Sequence, residues 1–347
     1  MIRILVATDA WYPQVNGVVH TLSEVARVAE PMGATLSFLT SEGLPTVPMP
    51  SYPSIRLALP FRRTIMRRIE AAQPDAIHIA TEGPIGLMAR AYCLKHGFAF
   101  TTSFHTRFAE YVAARTPMVP SAWTWGLLRR FHNAGAGVMA ATPALTLELA
   151  SRGFRNVMLW PRGVDAELFR PRPGADLGLP RPVFLTVGRI AVEKNVEAFL
   201  RLDLPGTKVL VGDGPARGEL ERRFPGTVFL GAMKGEALAR VFAAADVFVF
   251  PSHTDTFGLV LLEALASGVP VAAFSVPGPR DVIGEAAVGA LDSDLGAACR
   301  RALTLSRTAA REFALTMTWE RSARAFIANV VRYALLPAAN RQMVEAS

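Results

Sequence analysis

Along the first half of the chain, short apolar runs alternate with longer segments whose apolar positions recur every three or four residues. IRILVAT (2–8) reads as a buried strand, and GVVHTLSEVARVAEPMG (17–33) as an amphipathic helix. TLSFLT, DAIHIA, FAFTTSF and AGVMAAT repeat the strand pattern, each parted from the next by a helix-length stretch. Such alternation predicts a parallel sheet with helices on both faces. The pattern breaks at FRPRPGADLGLPRP (169–182), where proline and glycine suit a linker. It then restarts as VFLTVGR, TKVLVGDG, TVFLGA, DVFVFPS and VPVAAF. The expected fold is therefore α/β: two Rossmann-like, doubly wound parallel-sheet domains, residues 1–170 and 171–318, facing a cleft. Residues 319–347, opening with WERSARAFIANVVRYALL, are expected to form a helix that packs back on the first domain. In such sheets ligands bind beyond the carboxyl ends of the strands.

Composition narrows the class. The chain has 347 residues, 51% hydrophobic and 19% charged, which suits about two globular domains rather than a disordered or fibrous chain. Two distant cysteines, Cys93 and Cys299, fit neither a disulfide framework nor a zinc site. Asp9 interrupts the N-terminal apolar run too early for a secretory leader, and no stretch approaches the ~18 apolar residues of a membrane span. A cytoplasmic location is the expectation. Net charge is +8, with 17 Lys/Arg against 11 Asp/Glu in residues 1–170 and 20 against 18 in the remainder. The excess points to an anionic partner on the first domain.

Candidate chemistry gathers where strands end. TVGRIAVEKN (186–195) places Arg189 and Lys194 at a strand exit, where a guanidinium fork and a mobile ammonium suit a diphosphate. In WYPQVNGVVHTL (11–22), Gly17 permits close backbone approach at a helix N-terminus that favours an anion. LVGDGPARGEL (210–220) has G-x-G-x-x-x-G spacing, which departs from the dinucleotide fingerprint and reads as a tight turn. LDSDLG (291–296) matches D-x-D, but its position before a helix favours capping over metal, and no metal is expected. His105 ends an apolar strand. No interleaved basic and aromatic platform supports a nucleic-acid partner. In HTDTFGLVLLEALASGVPV (253–271), Glu263 stands inside a helix apolar on nearly every side, and a buried carboxylate needs something to bind.

Together these motifs resemble glycosyltransferase family 4, retaining enzymes of the GT-B fold, over essentially the whole chain. The carrying residues are Gly17 in VNGVV, His105 in FHTRF, RGVD at 162–165, Arg189, Lys194, and DTFGLVLLE at 255–263. The nearest likeness is to bacterial mannosyl-, glucosyl-, glucuronosyl- and sulfoquinovosyltransferases that decorate membrane lipids. The resemblance implies a hexose or hexuronic acid moved from a UDP- or GDP-linked donor to a membrane lipid such as diacylglycerol, with no cofactor. It implies catalytic roles for His105, Arg189, Lys194 and Asp255. Donor contacts are implied for Gly17, Arg162, Gly188, Arg189, Lys194, the backbone of Phe257, Gly258 and Leu259, and Glu263 on the ribose. Asp255 departs from the family pattern, which has glutamate there, and its shorter reach leaves direct sugar contact and donor identity open.

Two basic segments are candidates for an anionic membrane surface on the inner face of the cell membrane. PFRRTIMRRIEAA (60–72) has Arg62, Arg63, Arg67 and Arg68 with Ile65, Met66 and Ile69; PMVPSAWTWGLLRRF (117–131) has Trp123, Trp125, Arg129 and Arg130. Alternatives remain open: a sugar transferase or sugar-nucleotide epimerase with a soluble acceptor or none, and a non-catalytic lipid- or nucleotide-binding protein.

Overall fold

The computed structural model describes residues 1–14, 16–49, 52–59, 61–105 and 121–335. Positions 117–120 of the second basic segment and 336–347 of the final one lie outside them. In chain order the strands are β1 (Ile2–Ala7), β2 (Ala34–Leu39), β3 (Thr46–Met49), β4 (Tyr52–Ala58), β5 (Ala76–Ile79), β6 (Phe100–Ser103), β7 (Gly137–Ala140), β8 (Val157–Leu159), β9 (Val183–Val187), β10 (Thr207–Val211), β11 (Val228–Gly231), β12 (Val247–Phe250), β13 (Val271–Phe274) and β14 (Gly289–Asp292). The helices are α1 (Gly17–Ala29), α2 (Arg62–Ala72), α3 (Pro84–His96), α4 (Ser121–His132), α5 (Pro143–Ser151), α6 (Val196–Leu200), α7 (Arg217–Arg223), α8 (Gly235–Ala244), α9 (Leu259–Ala266), α10 (Pro277–Ile283), α11 (Leu295–Ala302), α12 (Arg307–Leu315) and α13 (Trp319–Ala334).

Two six-stranded parallel sheets result, ordered β2-β1-β5-β6-β7-β8 and β11-β10-β9-β12-β13-β14, with β3 and β4 forming a separate antiparallel pair. Both orders reverse direction beside the first strand of the sheet, the topology of doubly wound Rossmann-like domains. The second sheet is buried on both faces. Leu185, Phe248 and Val271 enter one core with α8 and α9, while Phe184, Val247 and Val249 enter another with α6 and α11. That two-sided burial is why its strands read as continuous apolar runs.

Two compact units form: residues 1–161 with 319–347, and residues 162–318. The first break falls after Pro161, earlier than the expected boundary at 170. Val164 donates to the Met317 carbonyl and bridges Thr318, and Arg311 donates to the Ala166 and Phe169 carbonyls. Backbone pairing therefore assigns residues 162–170 to the second unit, although the proline-rich composition begins only later. Within the first unit, α13 lies on α1, β5 and β6. There Phe326 meets the buried His78 ring edge-on at 4.9 Å, while Thr101 and Ser103 hydroxyls, each at 2.8 Å, satisfy both ring nitrogens. The helix expected over 17–33 ends at Ala29, followed by a 3-10 turn over Glu30–Met32 that contains Pro31.

Candidate active site

In the second unit, three loops at the carboxyl ends of β9, β10 and β12 build one site. The loop after β9 carries Gly188 and Arg189, then a 3-10 turn over Val192–Lys194. It packs on the loop after β10 at backbone distance. Gly188 donates to the Val211 carbonyl and Ile190 to that of Asp213. A Cβ on Gly212 would stand 1.8 Å from the Gly188 oxygen, and one on Gly214 2.3 Å from that of Ile190. The G-x-G of LVGDGPARGEL is thus explained by loop-on-loop packing behind Arg189, consistent with the tight turn read from its spacing.

The same loop is laced to the one after β12. Asn195, left-handed at φ 50°, donates through its side-chain amide to the Pro251 carbonyl at 3.1 Å. Lys194 Nζ lies 2.5 Å from Asp255 Oδ1. Asp255 Oδ2 is buried and accepts no hydrogen bond among the described residues. The structure therefore gives Asp255 a cation partner, Lys194, that the sequence could not assign across 61 residues, and Arg189 stands earlier in the same loop.

After Asp255 the chain turns into α9. Gly258 is its N-cap, left-handed at φ 81°, and no side chain caps the helix. A Cβ there would come within 3.0 Å of the Phe250 ring. Behind this open N-terminus Leu261, Leu262, Ala264, Leu265 and Ala266 sink into the core. Glu263 is half-buried among them. No described group donates a hydrogen bond to its carboxylate, and desolvation alone raises its pKa to about 7. The surface keeps a route to the carboxylate while the packing around it removes most of its hydration.

Arg162, at the start of this unit, is buried, and burial lowers its pKa to about 9. Asp294 accepts from the Gly296 and Ala297 amides as the N-cap of α11, whereas Asp292 pairs with Arg301. Among the described residues no three His, Cys, Asp or Glu converge to hold a metal.

In the first unit His105 follows β6 and meets the buried Trp160 ring edge-on at 5.6 Å. Trp160 Nε1 donates to Ser322 Oγ of α13 at 3.1 Å, which in turn donates to the Pro161 carbonyl. The C-terminal helix thereby braces the wall behind His105. Gly17 opens α1, but Asn16 Oδ1 accepts from the Val18 and Val19 amides at 3.0 Å each. The anion-binding capacity expected at this N-terminus is therefore largely taken by the cap.

The structural role of Asp9, which the sequence showed only as the end of an apolar run, is a cap. From the end of β1 it accepts from the Ile85 and Gly86 amides and the Thr81 hydroxyl, capping α3, whose own N-cap Gly83 has no side chain. Burial raises its pKa against these bonds. An acid just beyond an apolar strand was its only sequence signal.

The basic segment 60–72 forms α2 differently from expectation. Ile65 and Ile69 are buried in the domain core, with Met66 packed against it. Its apolar face is spent on the fold, leaving Arg62, Arg63 and Arg67 exposed, while Arg68 donates to the Thr40 carbonyl. On α4, Trp123 is exposed and Trp125 stacks on Phe104.

Two Rossmann-like domains, the second with a cationic strand exit linked through Lys194 and Asp255 to the loop before an uncapped helix, are the architecture of GT-B sugar transferases. The comparisons agree. Residues 15–168 match Glycosyltransferase Family 4 and residues 181–305 match Glycosyl transferases group 1. A GDP-mannose-dependent alpha-mannosyltransferase of Mycobacterium tuberculosis is 30% identical over 81% of this chain and 81% of its own length. The sulfoquinovosyl transferase SQD2 of Arabidopsis thaliana is 31% identical over 79% of this chain; the match spans 59% of that longer protein. An alpha-monoglucosyldiacylglycerol synthase of Streptococcus pneumoniae is 27% identical over 87% and 78%. Among solved structures, a sucrose-phosphate synthase from Thermosynechococcus elongatus superposes with a TM-score of 0.75 at 20% identity, covering all of both chains. The Anabaena HepE protein, solved with UDP and glucose, gives 0.70 at 14% identity over 96% and 100%. This chain belongs to glycosyltransferase family 4.

Proposed function

We propose that the protein is a retaining, metal-independent hexosyltransferase that moves a hexose or hexuronic acid from a UDP- or GDP-linked donor to a membrane lipid acceptor such as diacylglycerol. It would work as a cytoplasmic enzyme peripheral on the inner face of the cell membrane. The observation that carries the donor side is Glu263: a half-buried carboxylate with no described donor and a pKa near 7, in the helix behind an uncapped N-terminus. Two ribose hydroxyls would satisfy it, and the Phe257, Gly258 and Leu259 backbone would meet phosphate and sugar oxygens. Arg189 and Lys194 would take the charge that develops on the leaving diphosphate, the type of stabilisation that contributes most to catalysis. In this reading Lys194 exchanges some of its contact with Asp255 for the diphosphate when donor enters. His105 would hydrogen-bond the transferred sugar.

Chemically, the anomeric carbon–phosphate oxygen bond breaks while the acceptor hydroxyl bonds to the same face of that carbon. The released phosphate oxygen takes the hydroxyl proton. The acceptor class is supported by a relative whose name specifies synthesis of a glucosylated diacylglycerol. Among the described residues no helix is long and apolar enough to cross a membrane. A panel of UDP- and GDP-sugars with diacylglycerol in mixed micelles, read by mass spectrometry of the lipid, tests the reading. A glycosylated diacylglycerol is expected. Donor consumption with only a soluble or epimerised product would overturn it.

A further inference from the structure

The first sheet changes direction between β1 and β5, and in such sheets the ligand crevice lies at that point, beyond the carboxyl ends of the strands. Two acids stand there. Asp9 follows β1, but both its oxygens are taken. Oδ1 accepts from the Ile85 amide at 2.9 Å, and Oδ2 from the Thr81 hydroxyl at 2.9 Å and the Gly86 amide at 3.3 Å. Thr81 Oγ1 in turn accepts from the Asp9 amide at 2.8 Å. A Cβ on Gly83 would stand 2.5 Å from the Asp9 carboxylate, so the two loops pack in direct contact. The backbone is thus fixed on either side of Glu82.

Glu82 is held in a different way. His132, the last residue of α4, is fully buried; its Nδ1 lies 2.8 Å from Thr102 Oγ1 of β6 and its Nε2 3.2 Å from Glu82 Oε1. Among the described residues this ring is the only hydrogen-bond partner of the Glu82 carboxylate, and the side chain stays 28% exposed. A buried imidazole anchored to a strand at one nitrogen therefore positions the acid at the other, and Oε2 is left for a donor from outside. His105 leaves β6, the strand next to β5.

Charge limits what that donor can belong to. Among the described residues, the loops leaving β1, β5, β6 and β7 hold Asp9 and Glu82 and no lysine or arginine. Arg68 reaches the Thr40 carbonyl, after the outer strand β2. A phosphorylated group beside Glu82 would meet a carboxylate with no cation to offset it, whereas a neutral hydroxyl is a donor that a carboxylate binds strongly. That hydroxyl is not the one that reacts. In the proposed transfer the reacting hydroxyl gives its proton to the released phosphate oxygen, so its hydrogen is not shared with Glu82.

We infer that Glu82, positioned by His132, binds a non-reacting hydroxyl of the acceptor headgroup. The preferred acceptor is then a neutral lipid with more than one free hydroxyl, as a glycosylated diacylglycerol has, and diacylglycerol itself is accepted less well. The lipid rests on the proposed transfer; the held carboxylate rests on the fold alone.

The test compares full-chain wild type and Glu82→Gln on three acceptors in detergent micelles. Dioleoylglycerol has one hydroxyl, its monoglucosyl derivative has several, and phosphatidylinositol has several beside a phosphate. Glutamine keeps the shape of the side chain and can still bond to His132, so the urea midpoint and the donor KM should not move. Wild-type kcat/KM should be highest for the monoglucosyl lipid. The variant should lose about 10- to 100-fold on that lipid, the scale of a bond to a charged group, and lose less on dioleoylglycerol. His132→Gln should raise the KM for the monoglucosyl lipid and leave the donor KM in place; an equal rise in both makes the pair structural and overturns the inference. Equal losses by Glu82→Gln on the two glycerolipids also overturn it, as does a wild-type preference for dioleoylglycerol or phosphatidylinositol. Calorimetric binding of the dihexanoyl form of the monoglucosyl lipid, with UDP or GDP present, separates this contact from the reaction. Binding that weakens in Glu82→Gln while wild type glycosylates no lipid sinks the proposed reaction and leaves the contact standing. No binding by wild type, or equal binding by both proteins, removes the contact.

Discussion

Glu263→Gln separates what α9 does for stability from what it does for binding. The carboxyl has an ordinary pKa of 4.5 and is raised to about 7 by desolvation in the folded chain. The folded state therefore holds its proton more tightly than the unfolded state. Below about pH 4.5 both states are protonated and the acid has no effect on stability. Between 4.5 and 7 the unfolded chain ionises first, and stability falls as pH rises; above 7 the whole penalty is present. Each pKa unit corresponds to about 1.4 kcal/mol, so the shift amounts to about 3 kcal/mol, reduced toward 1–2 because the residue is only half-buried. Glutamine has nearly the same shape and no ionisation. The variant should match wild type in urea denaturation at pH 4.5 and exceed it at pH 8 by about 1–2 kcal/mol. Binding should move the other way. Loss of charge-assisted bonds to the ribose should weaken the free nucleoside diphosphate by roughly 1.5–3 kcal/mol at pH 8. Wild-type affinity should also fall as pH drops below 7, because the carboxyl must give up its proton to accept two hydroxyls. A 2′,3′-dideoxyribose analogue should bind wild type poorly and lose little more in the variant, which calorimetry on the two-by-two set measures. A stability difference that is equal at both pH values would refute the desolvation argument. Additive binding losses would refute the ribose contact.

Arg189→Ala or Lys194→Ala should lower kcat/KM by about 100-fold or more, and Arg189→Lys should recover little because the planar fork is lost; near-wild-type turnover in either alanine variant removes the diphosphate assignment. Gly214→Ala puts a Cβ 2.3 Å from the Ile190 oxygen at φ +159°, so it should destabilise the second unit by about 1–3 kcal/mol and depress kcat/KM through the Arg189 loop, whereas unchanged denaturation midpoints would mean the loops part freely. Replacing Arg62, Arg63 and Arg67 with Gln should weaken binding to anionic vesicles by about 1 kcal/mol for each charge near the surface while leaving turnover of a soluble acceptor analogue intact; unchanged sedimentation at low salt takes α2 off the membrane face.

Local pattern alone determined much of this protein. Alternating apolar runs and helical stretches specify two parallel sheets because buried parallel strands must be apolar on both faces and joined by crossovers, as Val183 to Val187 and Val247 to Phe250 are. Glu263 was legible for a related reason: one acid in a helix whose neighbours all pack inward demands an explanation from sequence alone. What the pattern could not supply is which face meets which neighbour. Ile65 and Ile69 mark an apolar stripe on α2, but periodicity is the same whether a stripe faces lipid or a sheet, and only the fold turns it into the core. The Lys194–Asp255 pair, the Asp9 cap on α3 and the contact of Gly212 with Gly188 each depend on strands adjacent in a sheet and distant in sequence. The order of strands decides those meetings, since crossover connections place β9 between β10 and β12.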